Sequence, residues 1–401
     1  MRGNRPPAFI LGLGANGYGI LRSLAREGIP AVGFHTDDEE SGRFSKYCET
    51  CYLPASLDER QICRALIERG ERAGGKPVLF PTSDHYSLLL AKYQDELSRH
   101  FQFHWVEEES LRCIVDKARM SAICRQAGLA VPRTHVTQRD ENLADMAAGL
   151  PFPCLIKPNR SFDCPFPPGL KNFVAGSRDE LLAFYRAHPE LQGTTVCQEI
   201  IEGGDENMLE WIGLVRGSGE PGAMFCVRKL HQYPPGYGVM CFGRSERNEA
   251  LCAQSLPLVR SLRYRGLGSI EFKYRPEDGR YYFIEMNPRL SWFSALFADA
   301  GVNFAHLAYL ELTQNQRSEP LQRNGVHWIN LGLDLKWFFR VRRAGGAGLL
   351  SWLRSAARAR SYAWFDWRDP MPFLRQTMPL FAAGVRRFFR DHRVPDAKGK
   401  T

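Results

Sequence analysis

Residues 269–289 read SIEFKYRPEDGRYYFIEMNPR, in which two apolar runs flank an acidic turn that ends in glycine. The alternation of apolar and polar side chains predicts two antiparallel strands joined as a hairpin. Because side chains alternate between the faces of a strand, Glu271 and Glu285 then lie opposite each other, and Asn287 shares their face. Facing carboxylates repel each other unless a cation lies between them, and Mg²⁺ is usually held by one or two carboxylates. The hairpin therefore predicts a magnesium site; an exposed hairpin with scattered charge is the alternative.

The turn sets the register of this hairpin. A three-residue turn over 277–279, with its glycine in the left-handed conformation, pairs Pro276 with Arg280 and Lys273 with Phe283. A two-residue turn formed by Asp278 and Gly279 would give a different register. A slip by one residue would move both acids out of alignment, since it sends every side chain of a strand to the opposite face.

The composition indicates a globular protein with a substantial core. The chain has 401 residues, of which 44% are hydrophobic, enough for two or three domains. It contains no apolar run of about 18 residues and no signal-peptide pattern, so we expect a soluble cytoplasmic protein. Its eleven cysteines are dispersed, with Cys48 and Cys51 as the one close pair. This spacing favours reduced thiols over a zinc site.

Basic residues are concentrated near the C-terminus. Residues 336–393 contain 13 Lys or Arg and 3 acids, so this segment accounts for the whole excess of positive charge. It also holds four of the eight tryptophans, Trp337, Trp352, Trp364 and Trp367. Such a segment is typical of binding to an anionic membrane surface or to nucleic acid. We favour a terminal helical element that packs its aromatic face on the body and leaves its arginines solvated, and we expect no nucleic acid partner.

The first 110 residues alternate strand and helix patterns, which predicts a small doubly wound α/β domain. A glycine turn, from Gly12 through Gly14 to Gly17, follows the first strand and formally matches a dinucleotide-binding fingerprint. Asp37 stands where a ribose-binding acid would lie. An NAD(P)-dependent oxidoreductase is therefore an alternative function, although it gives the acidic hairpin no role.

Further along, charged residues mark the ends of secondary-structure elements in a distinctive order. Asp116 and Lys117 open a helix, Lys157 ends a short apolar strand 40 residues after Lys117, and Glu199 ends another strand 42 residues later. The acidic hairpin follows. This order resembles the ATP-grasp superfamily over roughly residues 8–315.

The resemblance implies an architecture of the α/β and α+β classes. It consists of a doubly wound, Rossmann-like α/β domain over 1–112, a two-lobed ATP-grasp domain over 113–320 and a basic, aromatic-rich helical extension over 321–401. In this superfamily the N-terminal domain often keeps a glycine turn without binding a dinucleotide.

The resemblance also assigns roles to individual residues. Those expected to bind ATP are the phosphate-facing Lys117 and Lys157, Glu199 with the backbone of Ile200 and Ile201 at the adenine, and Asp205 or Glu206 at the ribose. Glu271, Glu285 and Asn287 match the ligands of Mg²⁺, which Mn²⁺ could replace, and Arg289 matches the arginine that steadies the transferred phosphoryl group. Arg228 and Lys229 alternate on a strand, so one of them faces the site, and we expect Arg228 to bind phosphate or a substrate carboxylate.

The implied function is an ATP-dependent carboxylate-amine ligase that forms an acyl phosphate. Residues 228–238 resemble a group of bacterial ligases that includes D-aspartate ligase-like proteins. The expected partners are a small-molecule carboxylate and an amine; a lipid-linked acceptor, bound through residues 336–393 at the inner face of a membrane, is a further expectation. Loops 161–169 and 232–238 are candidate lids, although residues 159–165 depart from the glycine-rich phosphate loop of the superfamily.

Overall fold

The computed structural model of the protein describes residues 5–36, 40–160, 166–167, 172–346 and 348–379. The strands in these ranges are β1 Ala8–Leu11, β2 Ala31–His35, β3 Glu49–Tyr52, β4 Val78–Pro81, β5 Thr134–Val136, β6 Cys154–Pro158, β7 Phe173–Ala175, β8 Thr195–Glu199, β9 Met208–Val215, β10 Pro221–Tyr233, β11 Val239–Ser245, β12 Gly266–Arg275, β13 Arg280–Asn287, β14 His327–Ile329 and β15 Ala359–Tyr362. The α-helices are α1 Ala15–Ala25, α2 Glu59–Glu71, α3 Asp84–Lys92, α4 Gln94–His100, α5 Glu108–Val115, α6 Lys117–Gln126, α7 Leu143–Ala148, α8 Arg178–Ala187, α9 Glu249–Ser261, α10 Ser294–Asp299, α11 Phe304–Gln314, α12 Leu331–Arg343 and α13 Leu349–Ala357.

The N-terminal sheet is parallel, with the strand order β3-β2-β1-β4. Strands β1 and β2 are buried along their whole length because helices cover both faces. Helix α1 packs on one face, and helices α2 and α3 pack on the other. This is the sheet that the strand and helix patterns of the first 110 residues predict.

A second sheet, antiparallel with the order β5-β8-β6-β7, forms a small lobe. Alternation along β6 gives this lobe its two faces. Cys154 and Ile156 pack in its core with Leu181 of α8. Leu155 and Lys157 point the other way and line a cleft. The strand pattern thus delivers a lysine to the cleft without disturbing the core.

The third sheet has seven strands in the order β13-β12-β9-β10-β11-β14-β15. Strand β9 shows how it serves both core and cleft. Leu209 and Trp211 join a core cluster that includes residues of α9. On the opposite face, Ile212 and Leu214 pack with residues of α1, whereas Glu210 lines the cleft. One face of the sheet is therefore apolar at one end and acidic at the other.

The sequence predicted a helical C-terminal segment, but this segment also contains the strands β14 and β15. Strand β14 pairs with β11, and β15 adds a parallel strand beyond it, so the boundary expected at residue 320 crosses this sheet. The segment also packs on the N-terminal domain. The ring of Trp364 stacks on Tyr18 with centroids 5.7 Å apart, and Arg22 donates to the carbonyl oxygens of Tyr362 and Phe365.

The large apolar residues of this segment divide between core and surface. Trp352 and Trp364 are buried, whereas Trp367 is 73% exposed and Leu350 is 71% exposed. None of the helices in the described ranges combines the length and the apolar content needed to cross a bilayer. Binding of residues 336–393 to an anionic membrane surface stays a prediction, and residues 380–393 lie outside the described residues. Co-sedimentation with anionic vesicles would test it.

Replacing Asp369 with alanine should destabilise the fold by loosening the C-terminal segment. This buried carboxylate accepts hydrogen bonds from the Ser45 hydroxyl at 2.5 Å and the Lys46 N–H at 3.2 Å. We expect Asp369→Ala to lower the free energy of unfolding by about 2 kcal/mol, measured by urea denaturation, because it leaves buried donors unsatisfied. The exposed control Glu71→Ala should change it by less than about 0.5 kcal/mol. Equal effects of the two substitutions would contradict the anchoring role of Asp369.

Candidate functional site

A cleft of about 780 Å³ lies between the small lobe and the seven-stranded sheet. Among the residues that the sequence singled out, its lining includes Lys117, Lys157, Glu199, Ile200, Ile201, Glu271, Glu285, Asn287 and Arg289. Arg228, Asp205 and Glu206 are not part of this lining. The structure thus brings together the residues expected at the phosphates, the metal and the adenine, whereas the acids expected at the ribose are not part of the lining.

The hairpin of β12 and β13 pairs Glu271 directly with Glu285, and Ser269 with Asn287. The turn differs from the prediction: Arg275, and not Pro276, lies opposite Arg280, so the turn has four residues. Its Gly279 is left-handed, with a φ of 67°. Lys273 consequently pairs with Tyr282 rather than Phe283, and an irregularity between Glu271 and Phe272 restores the predicted register at the acids.

Lys229 compensates the first acid of this hairpin. Its ammonium lies 2.6 Å from Oε2 of Glu271, and the lysine side chain is only 3% exposed. Burial raises the pKa of Glu271 to about 7; Lys229 opposes this shift, whereas the carboxylates of Glu210 and Glu285 add to it. Burial lowers the pKa of Lys229, but the surrounding acids outweigh burial, so it lies above its ordinary value. Lys229 therefore stays charged beside three acids.

Glu285 faces the lysines expected at the phosphates. Burial raises the pKa of Glu285, but the charges of Lys117, Lys157, Lys229 and Arg289 together bring it below its ordinary value. Burial and the nearby Lys117 lower the pKa of Lys157 to about 8, against the opposing effect of Glu285 and Glu271. Cations from both the small lobe and the large sheet thus keep Glu285 ionised.

The donor set around the hairpin suits Mg²⁺. Among the described residues, no group of three His, Cys, Asp or Glu side chains is arranged to hold a metal ion. Glu271, Glu285 and the Asn287 amide instead offer a small all-oxygen set at the wall of an open cleft, which leaves positions for water and phosphate oxygens, as Mg²⁺ prefers. Oδ1 of Asn287 accepts a hydrogen bond from Arg289 at 3.2 Å, and Nε of Arg289 donates to Asp84 of α3 at 2.9 Å. The N-terminal domain thereby orients Arg289.

At the other end of the cleft, the Glu199 carboxylate is already engaged. Its two oxygens accept from Arg275 at 2.6 Å and from the backbone N–H of Arg133 at 2.9 Å. Burial raises the pKa of Glu199, but these two donors bring it below its ordinary value. Adenine recognition would then fall to the backbone at Ile200 and Ile201, which follows the end of β8 and lines the cleft.

Asp205 anchors a loop. Its carboxylate accepts hydrogen bonds from the backbone and side chain of Gln232 and from the N–H of Gly236, each at 2.9 Å. Glu206 is exposed, and its carbonyl oxygen accepts from Arg228. Neither acid is part of the cleft lining, although Gln232 and Gly236, which Asp205 binds, are, so contact of one of these acids with a ribose stays a prediction.

The candidate lid at 232–238 reaches the cleft through Gly236, Tyr237 and Gly238. Nδ2 of Asn172 donates to the Tyr237 carbonyl oxygen at 3.2 Å, so the small lobe contacts this loop across the cleft. Of the other candidate lid, 161–169, only residues 166 and 167 lie within the described residues.

Lys229, and not Arg228, faces the cleft, which corrects the expectation from sequence. Arg228 points to the other face of β10, where its guanidinium binds Glu246 at 2.6 and 2.8 Å. Val227 on the cleft side of β10 packs in the core that includes Phe225, so alternation carries Lys229 to the same face. The sequence showed that one of the two must face inward, but it did not show which face of the strand borders the cleft.

The glycine turn near the N-terminus is closed by packing. The Leu13 N–H donates to the Glu40 carboxylate. The negative charge of this carboxylate lies where a bound pyrophosphate would need positive charge. A Cβ at Gly17 would lie 1.9 Å from the Gly12 carbonyl oxygen, and Asn16 donates to the Leu290 carbonyl oxygen at 2.7 Å. These contacts use the turn to join two domains and argue against a dinucleotide there; Asp37 lies outside the described residues.

The variants Lys229→Met and Arg228→Met should show which face of β10 contributes to activity. We expect Lys229→Met to lower kcat/KM for ATP about 100-fold, because it removes a preorganised charge from the site, and Arg228→Met to change it less than about threefold. Lys229→Met leaves Glu271 buried without its partner, so the double variant with Glu271→Gln controls for folding: it should regain stability but not activity. A larger loss in Arg228→Met would contradict the placement of these residues.

Activity should fall as pH rises through the pKa of Lys157. In the free enzyme this lysine carries its charge below about pH 8 and loses it above, so its attraction for phosphate weakens there. We expect kcat/KM for ATP to fall about tenfold from pH 7 to pH 9, and Lys157→Arg, which keeps its charge, to flatten this fall. Identical pH profiles for the two proteins would contradict the assignment.

Comparison with known protein families gives an independent view of the site. The model described as the carbamoyl-phosphate synthase L chain, ATP binding domain, matches residues 243–310, which include the acidic hairpin and Arg289. The D-aspartate ligase of Enterococcus faecium (strain Aus0004) is 24% identical over 314 residues, which is 74% of this chain and 74% of that protein.

Solved structures support the same fold. The L-amino acid ligase from Bacillus licheniformis superposes with a TM-score of 0.61 and 16% identity, over 80% of this chain and 78% of that one. The biotin carboxylase domain of the 2-oxoglutarate carboxylase from Hydrogenobacter thermophilus, in complex with MgADP, ADP and bicarbonate, gives a TM-score of 0.60 and 15% identity, over 80% and 73%. At these identities the likeness concerns the fold alone.

Proposed function

We propose that this chain, which belongs to the ATP-grasp superfamily and is a ligase that forms carbon–nitrogen bonds, joins a carboxylate to an amine through an acyl phosphate made from Mg-ATP. One observation carries the proposal. A single cleft between two lobes holds Lys117 and Lys157 on one side and the Glu271–Glu285 pair with Arg289 on the other.

The protein groups bind and orient the reactants. Lys117 and Lys157 attract the phosphates of ATP, and the lobe that carries Lys157 holds them toward the acidic hairpin. Arg289, fixed by Asp84 and Asn287, directs its guanidinium at the carboxylate that is to be activated. Such positioning supplies most of the catalysis in phosphoryl transfer.

The metal fits the acids of the hairpin. Mg²⁺ held by Glu271, Glu285 and Asn287 would neutralise negative charge that develops on the phosphate oxygens. Mn²⁺ shares this preference for oxygen ligands, and we propose that it substitutes.

The reaction then has two steps. An oxygen of the substrate carboxylate forms a bond to the γ-phosphorus as the bond from that phosphorus to ADP breaks, giving an acyl phosphate. The amine nitrogen next bonds to the acyl carbon, inorganic phosphate leaves with the electrons of the broken carbon–oxygen bond, and the amine loses a proton. Because water would hydrolyse the acyl phosphate, the loop that carries Tyr237 needs to close over the cleft.

The substrates are small molecules. The relatives include a D-aspartate ligase and an L-amino acid ligase, so amino acids of both configurations are the first carboxylates and amines to test.

Glu285→Ala should abolish substrate-dependent phosphate release. The measurement is a phosphate-release screen with Mg-ATP over amino acids and small organic acids. Loss of a carboxylate that faces the phosphates should lower turnover at least about 100-fold. Glu277→Ala, at the exposed tip of the same hairpin, is the matched control and should keep full activity. Full turnover by Glu285→Ala would remove the metal assignment and with it the proposed function.

A further inference from the structure

Glu210 lies in the cleft but has no part in the mechanism described above. Its Cα pairs with Glu271 across β9 and β12, so Glu210, Glu271 and Glu285 form a row over three adjacent strands. Its side chain is 1% exposed and lines the cleft. The sequence did not identify it, because Glu210 interrupts an otherwise apolar strand that carries no recognisable motif.

One oxygen of this carboxylate is satisfied and the other is not. Oε1 accepts a hydrogen bond from the Ser291 hydroxyl, whose own oxygen lies 3.1 Å from Oγ of Ser269. Oε2 is buried and has no hydrogen-bond partner among the described residues. A buried carboxylate oxygen without a partner is costly, so the unliganded protein keeps an acceptor that a ligand can satisfy.

The charges around Oε2 favour a cationic donor. Lys229 is paired with Glu271, and the row of acids adds negative charge next to Glu210. Within the row, Glu210 lies farther than Glu271 from Glu285 and Asn287. Neighbouring strands are about 4.8 Å apart, and two such spacings separate β9 from β13. An ammonium nitrogen, which offers three donors and a positive charge, suits this position better than a neutral hydroxyl.

The segment beside Glu210 offers complementary groups. Trp292, the neighbour of Ser291, lines the same cleft, and its indole N–H is buried without a partner among the described residues. Arg289 lies two residues before Ser291 and also lines the cleft. Donors for a carboxylate therefore come from one short stretch of chain after β13, and this stretch lies beside Glu210, the acceptor for an ammonium group.

We propose that Glu210 binds the ammonium group of the substrate whose carboxylate is activated, so that this substrate is an amino acid in its zwitterionic form. The proposal rests on the proposed function and adds to it a residue that selects an amino acid over the matching 2-hydroxy acid. Arg289 holds the reacting carboxylate, and Glu210 holds the ammonium group.

The test uses the full chain and compares Glu210→Gln with the wild type. Glutamine keeps the size of the side chain and an oxygen for Ser291, but it removes the charge. Glu220→Gln, exposed in the turn between β9 and β10, is the matched control. Phosphate release is measured with each amino acid in both configurations and with the corresponding 2-hydroxy acids, together with the dependence on ATP and Mg²⁺ concentration.

We expect the wild type to prefer an amino acid over its 2-hydroxy acid by about 100-fold in kcat/KM, and Glu210→Gln to reduce this preference to about threefold. The KM for ATP and the half-saturating Mg²⁺ concentration should change less than about twofold. An equal loss with both classes of acid, or a shift in the Mg²⁺ dependence instead, would overturn the proposal in favour of a structural or metal-binding role. Wild-type turnover that is as fast with carboxylates lacking an ammonium group as with amino acids would overturn it while the proposed function stands.

A binding measurement separates failure of this proposal from failure of the proposed function. With Mg²⁺ and a non-hydrolysable ATP analogue present, the same amino acids should raise the Tm of the wild type and not that of Glu210→Gln. If no acid supports phosphate release, the proposed function fails, and this Tm difference still decides whether Glu210 binds ammonium ligands. If the amino acids raise the Tm of both proteins equally, or of neither, the ammonium site at Glu210 is overturned.

Discussion

The direct pairing of Glu271 with Glu285 is the constraint on which the site depends. Two carboxylates about 5 Å apart repel each other by about 3 kcal/mol at an effective dielectric constant of about 20. Both line the cleft and lie among cations from three directions: Lys229 from the neighbouring part of the sheet, Lys157 from the small lobe and Arg289 from the segment after β13. The lysine of the small lobe is thus complementary in charge to the acids of the large sheet. The protein's own cations offset the repulsion between Glu271 and Glu285 only in part. A cation bound between the two acids would offset the rest.

Alternation along the strands of the large sheet lets this charged site share strands with the core. Ile270 and Phe272 are buried in a core cluster, while their neighbour Glu271 points into the cleft. The same holds for Trp211 and Glu210 on β9. A one-residue shift of either strand would bury acids in the core and expose apolar side chains, so core packing itself holds the acids in register.

Sequence reasoning reached the acids because their spacing depends on local rules. The glycine of the turn and the alternation of the hairpin predicted that Glu271 faces Glu285, although the turn is one residue longer and an irregularity near Phe272 compensates for it. The order of charged residues then resembled that of the ATP-grasp superfamily, and this resemblance pointed to Lys117, Lys157 and Arg289, which line the same cleft. These predictions needed little knowledge of how distant elements pack.

Errors arose where tertiary packing decides. Arg228 and Lys229 differ only in the face of β10 that each occupies, and the chain alone does not reveal which face borders the small lobe. Strand β15 joins the sheet through a long-range parallel pairing that no local pattern indicates. The most direct test of the account follows the oxygens of the substrate: with a carboxylate labelled with ¹⁸O, we predict that the released phosphate carries one labelled oxygen, as acyl phosphate formation requires. Phosphate free of label, with its new oxygen drawn from water, would contradict it.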